Sequence, residues 1–407
     1  MTAARVLVLT PFPPRLDATH GGSRAIAELI ERVARRRPVA LLTIRSSDDP
    51  PTDPRLVAAC DLAREIARPQ ESTGLRAREA DLRVAAGLLR GVPMWVSRWR
   101  VPAFAQAVRE VVRDWRPAVV QAEYHLMAQY FEAAGTGPRR ILRQLEPGAA
   151  SAADRGSRRR GAARLLGTLD HRAWHNYEQR AMRDADTVVA LTERDRATLA
   201  SLAGATPVVC IPLGVSIPEH AADPLGAGPP NLLFVGNFIH PPNADAAERL
   251  VHEIFPLVRR RVPAAELKII GPNPPADLRG HPGVLVTGEV PDVRPYLDRA
   301  SVVVAPLRLG GGMRVKVAEA LAAGKAVVAT PLAAEGLGAS HGDQLLLAQE
   351  PEAIADSVAD LLLDPDRRGA LAARARAWAV ERLAWEAPAL AFERLYDSLA
   401  AAGPRSV

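Results

Sequence analysis

The chain is 407 residues long, with 48% apolar and 24% charged side chains and a net charge of +6 from 52 basic and 46 acidic residues. That length suits two domains, and that composition excludes a wholly disordered chain. Only Lys268, Lys316 and Lys325 are lysines; the basic balance follows an arginine-rich composition, and with no aromatic ladder among the arginines nucleic acid is not an expected partner.

In chain order, the apolar run Val6-Leu7-Val8-Leu9 predicts a first strand over 6–10. It is too short for a signal-peptide core and is broken by Pro11, Pro13 and Pro14. No stretch reaches the roughly 18 to 20 apolar residues of a membrane span, so a cytoplasmic location is expected. The turn His20-Gly21-Gly22-Ser23 follows, and Ile26, Leu29, Ile30 and Val33 then share one helical face. The pattern continues with a strand at 39–44, helices near 56–67, 75–89 and 104–115, and short buried strands at 119–122 and 141–145. A long helix with a polar face is predicted over about 162–183, then strands at 187–191 and 208–211, with Thr192 as a helix cap between them.

The densest basic tract, 155–164, reads as a solvated loop or helix start. The alternative is docking to an anionic membrane surface or acceptor, which would place the protein at the membrane periphery. Cys60 and Cys210 make no metal or redox spacing and read as free thiols in a reducing compartment.

Residues 218–230 hold four prolines and two glycines without periodicity and read as a linker. After it the alternation restarts: a strand at 232–235, a helix capped by Asn243 and running to about 261, and strands at 266–270 and 284–287 ending at Gly271 and Gly288. A short helix at 291–299, a strand at 302–305, a helix at 315–323 and a strand at 326–330 follow. A short strand at 345–347, helices at 352–363 and 367–381, and a last helical pattern over 385–402 complete the chain. Strands alternating with helices predict an α/β protein whose parallel sheets are covered on both faces. The expected division is a first domain over 1–217, the linker, a second domain over 231–383, and a C-terminal helix in 384–407 that packs back on the first. Ligands of such sheets bind at the carboxyl ends of the strands, which puts the expected site in a cleft where two domains face each other.

The most informative segment is 306–330. Gly310, Gly311 and Gly312 follow a buried strand, and their backbone N–H groups can approach a ligand closely. A helix starts near Met313, and its first-turn N–H groups favour an anion such as a pyrophosphate. Arg314 can fork onto phosphate oxygens, Lys316 supplies a point charge, and Glu319 can accept from two ribose hydroxyls. The bland alternative is a glycine-rich turn before a solvated, charged helix start.

With these residues the second half, from about 232 to 381, resembles the nucleotide-binding domain of family 4 (group 1) retaining glycosyltransferases with the GT-B fold, in the branch with a glycine-rich Arg-x-Lys helix start. The similarity is carried by Phe234-Val235-Gly236-Asn237, Pro241-Pro242-Asn243, Gly288-Glu289-Val290-Pro291-Asp292, the segment around 310–319 and the stretch 330–337. In the first half it is carried more weakly by Gly21-Gly22, 186–192 and Ile211-Pro212-Leu213-Gly214-Val215. The resemblance implies two Rossmann-like domains facing across a cleft and transfer of a sugar from a nucleoside-diphosphate sugar to a hydroxyl acceptor, without a metal or other cofactor. It implies donor contacts from Gly236, Asn237, Gly288, Val290, Gly311, Gly312, Met313, Arg314, Val315, Lys316 and Glu319, the last on the ribose. Arg314 and Lys316 would stabilise the leaving diphosphate. Two positions depart from the family: the first glutamate of its Glu-x7-Glu motif falls on Gly311, and Leu213 stands where an asparagine is usual.

Acceptor-side candidates come from the first half. Glu123 and His125 follow a buried strand, Glu146 follows another, and the turn glycines Gly21 and Gly22 would let the acceptor or donor sugar approach the backbone. His125 reads equally as a catalytic residue and as a surface or core-edge histidine, and the glycines equally as a plain turn. Asp184-Ala-Asp186 precedes its strand, so it reads as a solvated helix end and not as a metal site. Rival functions are a nucleotide-sugar epimerase on the same fold and an inactive nucleotide-sugar-binding homologue. A nicotinamide oxidoreductase is disfavoured because no Gly-x-Gly-x-x-Gly follows the first strand of either half.

Overall fold

Strands buried along their whole length, such as Val6–Thr10, Val302–Ala305 and Ala326–Ala329, need cover on both faces. Parallel pairing with helical crossovers supplies that cover. The computed structural model describes residues 3–18, 21–69, 74–144, 162–310 and 313–405. It divides into one unit formed by Met1–Ile211 with Pro388–Val407 and a second formed by Pro212–Ala387.

The first unit holds β1 (Val6–Thr10), β2 (Val39–Arg45), β3 (Leu62–Ala67), β4 (Val119–Glu123), β5 (Arg139–Arg143), β6 (Thr187–Ala190) and β7 (Val208–Cys210). They form one parallel sheet in the order β3-β2-β1-β4-β5-β6-β7. The helix Pro102–Trp115 shows how one face is covered. Pro102 starts it, Phe104, Ala107, Val108 and Val111 turn inward at helical spacing, and Arg116 ends it in the left-handed region. Phe104, Trp174, Tyr130 and Phe131 are the large side chains of that core. Burying each contributes about 1.5–3 kcal/mol.

The segment 62–67, expected as the end of a helix, is the edge strand β3, preceded by the short helix Pro54–Ala59. Its residues are adequate helix formers, but six paired positions on β2 outweigh that local preference. The C-terminal helix Glu386–Ala401 buries Phe392 and Tyr396, and from Pro388 it belongs to the first unit. The Tyr396 hydroxyl donates to Gln121 Oε1 at 2.6 Å, and Arg139 closes the helix end by donating to the Ala402 and Gly403 carbonyls.

The second unit holds β8 (Asn231–Val235), β9 (Glu266–Ile270), β10 (Val284–Gly288), β11 (Val302–Ala305), β12 (Ala326–Ala329) and β13 (Leu346–Leu347). Their order is β10-β9-β8-β11-β12-β13. The segment 218–230, expected as a linker, lies within this unit. Its carbonyls are claimed one after another: Pro218 by Arg376 at 2.6 Å, His220 by Arg294 at 2.9 Å, Asp223 by Lys325 at 2.5 Å and Leu225 by Arg368 at 3.2 Å. Proline and glycine remove its periodicity without freeing it from the surface. Lys325 has no exposed surface and also donates to the Asp298 and Ala300 carbonyls; burial brings its ammonium down to about 8.

Candidate functional site

Each sheet reverses its winding once, at β1/β4 in the first unit and at β8/β11 in the second. At such a switch point neighbouring crossovers leave on opposite faces, and a crevice opens at the carboxyl ends of the strands.

In the second unit the turn after β8 and the segment after β11 stand at the carboxyl ends of the two switch strands. Gly236 donates to the Ile270 carbonyl at 3.0 Å, and Gly271 donates to the Gly288 carbonyl at 2.9 Å, which staples three strand ends together. Gly271 has φ +139°, and a Cβ there would stand 1.8 Å from the Gly236 oxygen, so no other residue fits. Asn237 accepts from Ile239 through its side chain, and its carbonyl accepts from Asn243 Nδ2 at 2.9 Å. Asn243, expected as a helix cap, is therefore inside the helix Pro241–Arg249, whose cap position is His240. Two prolines start that helix, so the asparagine amide is released to tie the preceding turn.

Across the switch, the loop 306–314 leads from β11 into the helix Val315–Ala322, with Arg314 at its cap position and no side-chain cap bond. Gly310 has φ +92°, and a Cβ would meet Pro242 Cγ at 2.9 Å, so the loop lies against the first turn of the helix Pro241–Arg249. Met313 is buried, Arg314 and Val315 are half-buried, and Lys316 is exposed. Arg314 Nη2 donates to the Leu309 carbonyl at 3.2 Å. Lys316 Nζ lies 3.0 Å from Glu319 Oε2, with side-chain exposures of 48% and 26%. An exposed pair of this kind is worth about 0–1 kcal/mol, so a ligand can displace it. Gly288 and Val290 are half-buried at and just beyond the end of β10. Gly311 and Gly312 lie outside the described residues.

The first unit places its candidates differently. Glu123 has no exposed surface; it lies 3.3 Å from Arg143, also fully buried, and accepts from Gln121 at 2.6 Å. The Arg143 guanidinium lies over the Phe392 ring. His125 is 3% exposed, with its ring 4.8 Å from Trp174 and 6.1 Å from Trp95, and its carbonyl accepts from the Tyr177 hydroxyl. Both residues are core positions. Tyr124, between them, has φ +66° and packs edge-on against Phe12 at 5.5 Å. That backbone state costs a bulky residue about 1–3 kcal/mol, and it stands at the β1/β4 switch. Gly21 is exposed at the start of the helix Gly21–Ala34, with open space where a Cβ would stand. Glu146 and most of the basic tract 155–164 lie outside the described residues. Arg143 and Gln121 were missed by sequence reasoning. The signal was present in β4, where Gln121 and Glu123 interrupt an apolar strand and a buried polar group demands a partner.

Among the described residues no group of three or more His, Cys, Asp or Glu is arranged to hold a metal ion, and no helix is long and apolar enough to cross a membrane.

Residues 229–364, which contain the whole β8/β11 switch, match the family model for glycosyl transferases group 1. The chain is 29% identical over 206 residues to a phosphatidyl-myo-inositol mannosyltransferase of Mycolicibacterium smegmatis, covering 47% of this chain and 52% of that protein. The match thus spans about half the length of that curated relative. Among solved structures, sucrose-phosphate synthase from Thermosynechococcus elongatus has a TM-score of 0.70 at 18% identity, over 98% of this chain and 100% of that one. Anabaena HepE in complex with UDP and glucose has a TM-score of 0.64 at 13% identity, over 97% and 100%. At such identities the likeness is one of fold, and the fold is GT-B, with two Rossmann-like parallel-sheet units.

Proposed function

We propose that the protein is a retaining glycosyltransferase that moves a sugar from a nucleoside-diphosphate sugar to a hydroxyl acceptor. The observation that carries this reading is the loop 306–314 at the β8/β11 switch, bearing Arg314 beside a helix start within the family-matched segment. Loss of the nucleoside diphosphate builds negative charge on its terminal phosphate. The Arg314 guanidinium, Lys316 and the first N–H groups of the helix Val315–Ala322 would stabilise that charge more strongly in the transition state than in the bound donor, which is what accelerates the step. Glu319 would exchange its weak pairing with Lys316 for the ribose hydroxyls. This assignment asks for no metal and no pair of carboxylates at glycosidase spacing. HepE, a fold neighbour, holds UDP and glucose, which makes a UDP-sugar the first donor to try.

A second reading, a nucleotide-sugar binder without turnover, is favoured by Gly311 at the position of the family's first motif glutamate. Calorimetric titration with UDP, GDP and ADP, followed by assays of donor hydrolysis and transfer, separates the two. Binding with turnover supports the transferase, binding alone supports the second reading, and no binding of any nucleoside diphosphate defeats both.

A further inference from the structure

Residues 306–310, which follow β11, are neither strand nor helix, yet side chains from several elements grip them. Arg249 donates to the Pro306 carbonyl at 3.2 Å, and the Thr330 hydroxyl donates to the Leu307 carbonyl at 2.5 Å. The strongest grip is polar and planar. Arg308 forks onto Asp245 of the helix Pro241–Arg249, with Nε to Oδ2 and Nη2 to Oδ1 both at 2.9 Å. Its two parallel N–H bonds are already committed to a carboxylate, which leaves it poorly placed to grip a ligand.

We propose that Arg308 and Asp245 are positioning residues of the diphosphate site, whose fork fixes residues 306–310 on the neighbouring helix and, through the Leu309 carbonyl, sets the place of Arg314. This rests on the donor reading above. Arg308 pins the loop one residue before Leu309, whose carbonyl accepts from Arg314, and two residues before Gly310, which rests on Pro242 of the same helix that carries Asp245. Releasing the fork would let the loop lift from that helix and carry the Arg314 anchor with it. The pair is partly screened by solvent, with side-chain exposures of 46% and 21%. Its loss should be read in geometry, where a misplacement of about 1 Å costs up to about a hundredfold in rate.

The test uses the full chain and the variants Arg308→Gln, Asp245→Asn, their double, Arg308→Lys and the exchange Arg308→Asp with Asp245→Arg. Each single variant should lower kcat by about 10- to 100-fold with donor KM within about threefold, because the lost element is preorganisation and not a donor contact. The double should lose no more than either single, the exchange should recover part of the loss, and lysine, which cannot fork, should not rescue. Hydrogen exchange over 306–318 should quicken in Arg308→Gln whether or not the protein turns over. Unchanged kcat with unchanged exchange, additive losses, or a defect confined to KM would each overturn the proposal while leaving the donor reading standing. Quickened exchange in a protein that binds no nucleoside diphosphate would sink the donor reading instead, and with it the role assigned to the fork.

Discussion

Glu123 and Arg143 face each other 3.3 Å apart with neither side chain exposed. Removing one partner of such a pair leaves a bare charge in the interior and costs about 3–5 kcal/mol, whereas replacing both by apolar groups is often tolerated. Glu123→Gln is accordingly expected to lower the urea midpoint strongly, and Arg143→Met with Glu123→Leu to recover much of it. Equal loss in the single and double variants would contradict the buried-charge account. Arg314 is a different kind of residue. It is half-buried at a helix start and donates to a loop carbonyl; Arg314→Ala should cut turnover by about 100-fold or more, the usual loss on deleting transition-state charge stabilisation. Wild-type rates in this variant would remove it from the proposed chemistry.

At the scale of elements, two segments distant in sequence from the residues that hold them each add to the stability of their own unit. The helix Glu386–Ala401 gives Phe392 and Tyr396 to the first unit's core. Each fully buried aromatic contributes about 1.5–3 kcal/mol, a large share of the roughly 5–15 kcal/mol of net stability. Truncation after residue 387 should therefore unfold or sharply destabilise the first unit, seen as loss of its cooperative transition. The stretch 218–230 is pinned through Lys325, whose pKa falls from 10.5 to about 8 on burial. Between those values the unfolded chain holds more protons than the folded one, so this group's contribution to stability rises as pH climbs from about 8 towards 10.5. The stability of the wild type relative to Lys325→Met should shift in the wild type's favour over that window, and a flat difference would refute the assignment.

At the scale of the molecule, each unit has its own sheet and its own core, so the second should stand alone. A fragment of residues 212–387 is expected to fold cooperatively and to be stabilised by a nucleoside diphosphate, by about 2.7 kcal/mol at a ligand concentration a hundred times its Kd. A fragment that folds but shows no such stabilisation would place the donor site elsewhere. What the sequence determined alone was local: apolar runs of strand length alternating with helical stripes, the glycine turn at 310, and the helix start that carries Arg314, because these depend on neighbours a few positions away. The tertiary structure alone decided that 62–67 is an edge strand and that 218–230 clings to a sheet unit. It also decided that Arg308 serves Asp245 at a separation of 63 residues and that Tyr396 reaches Gln121 across 275. These outcomes rest on partners that meet only when the chain folds, and no local pattern carries the identity of a distant partner.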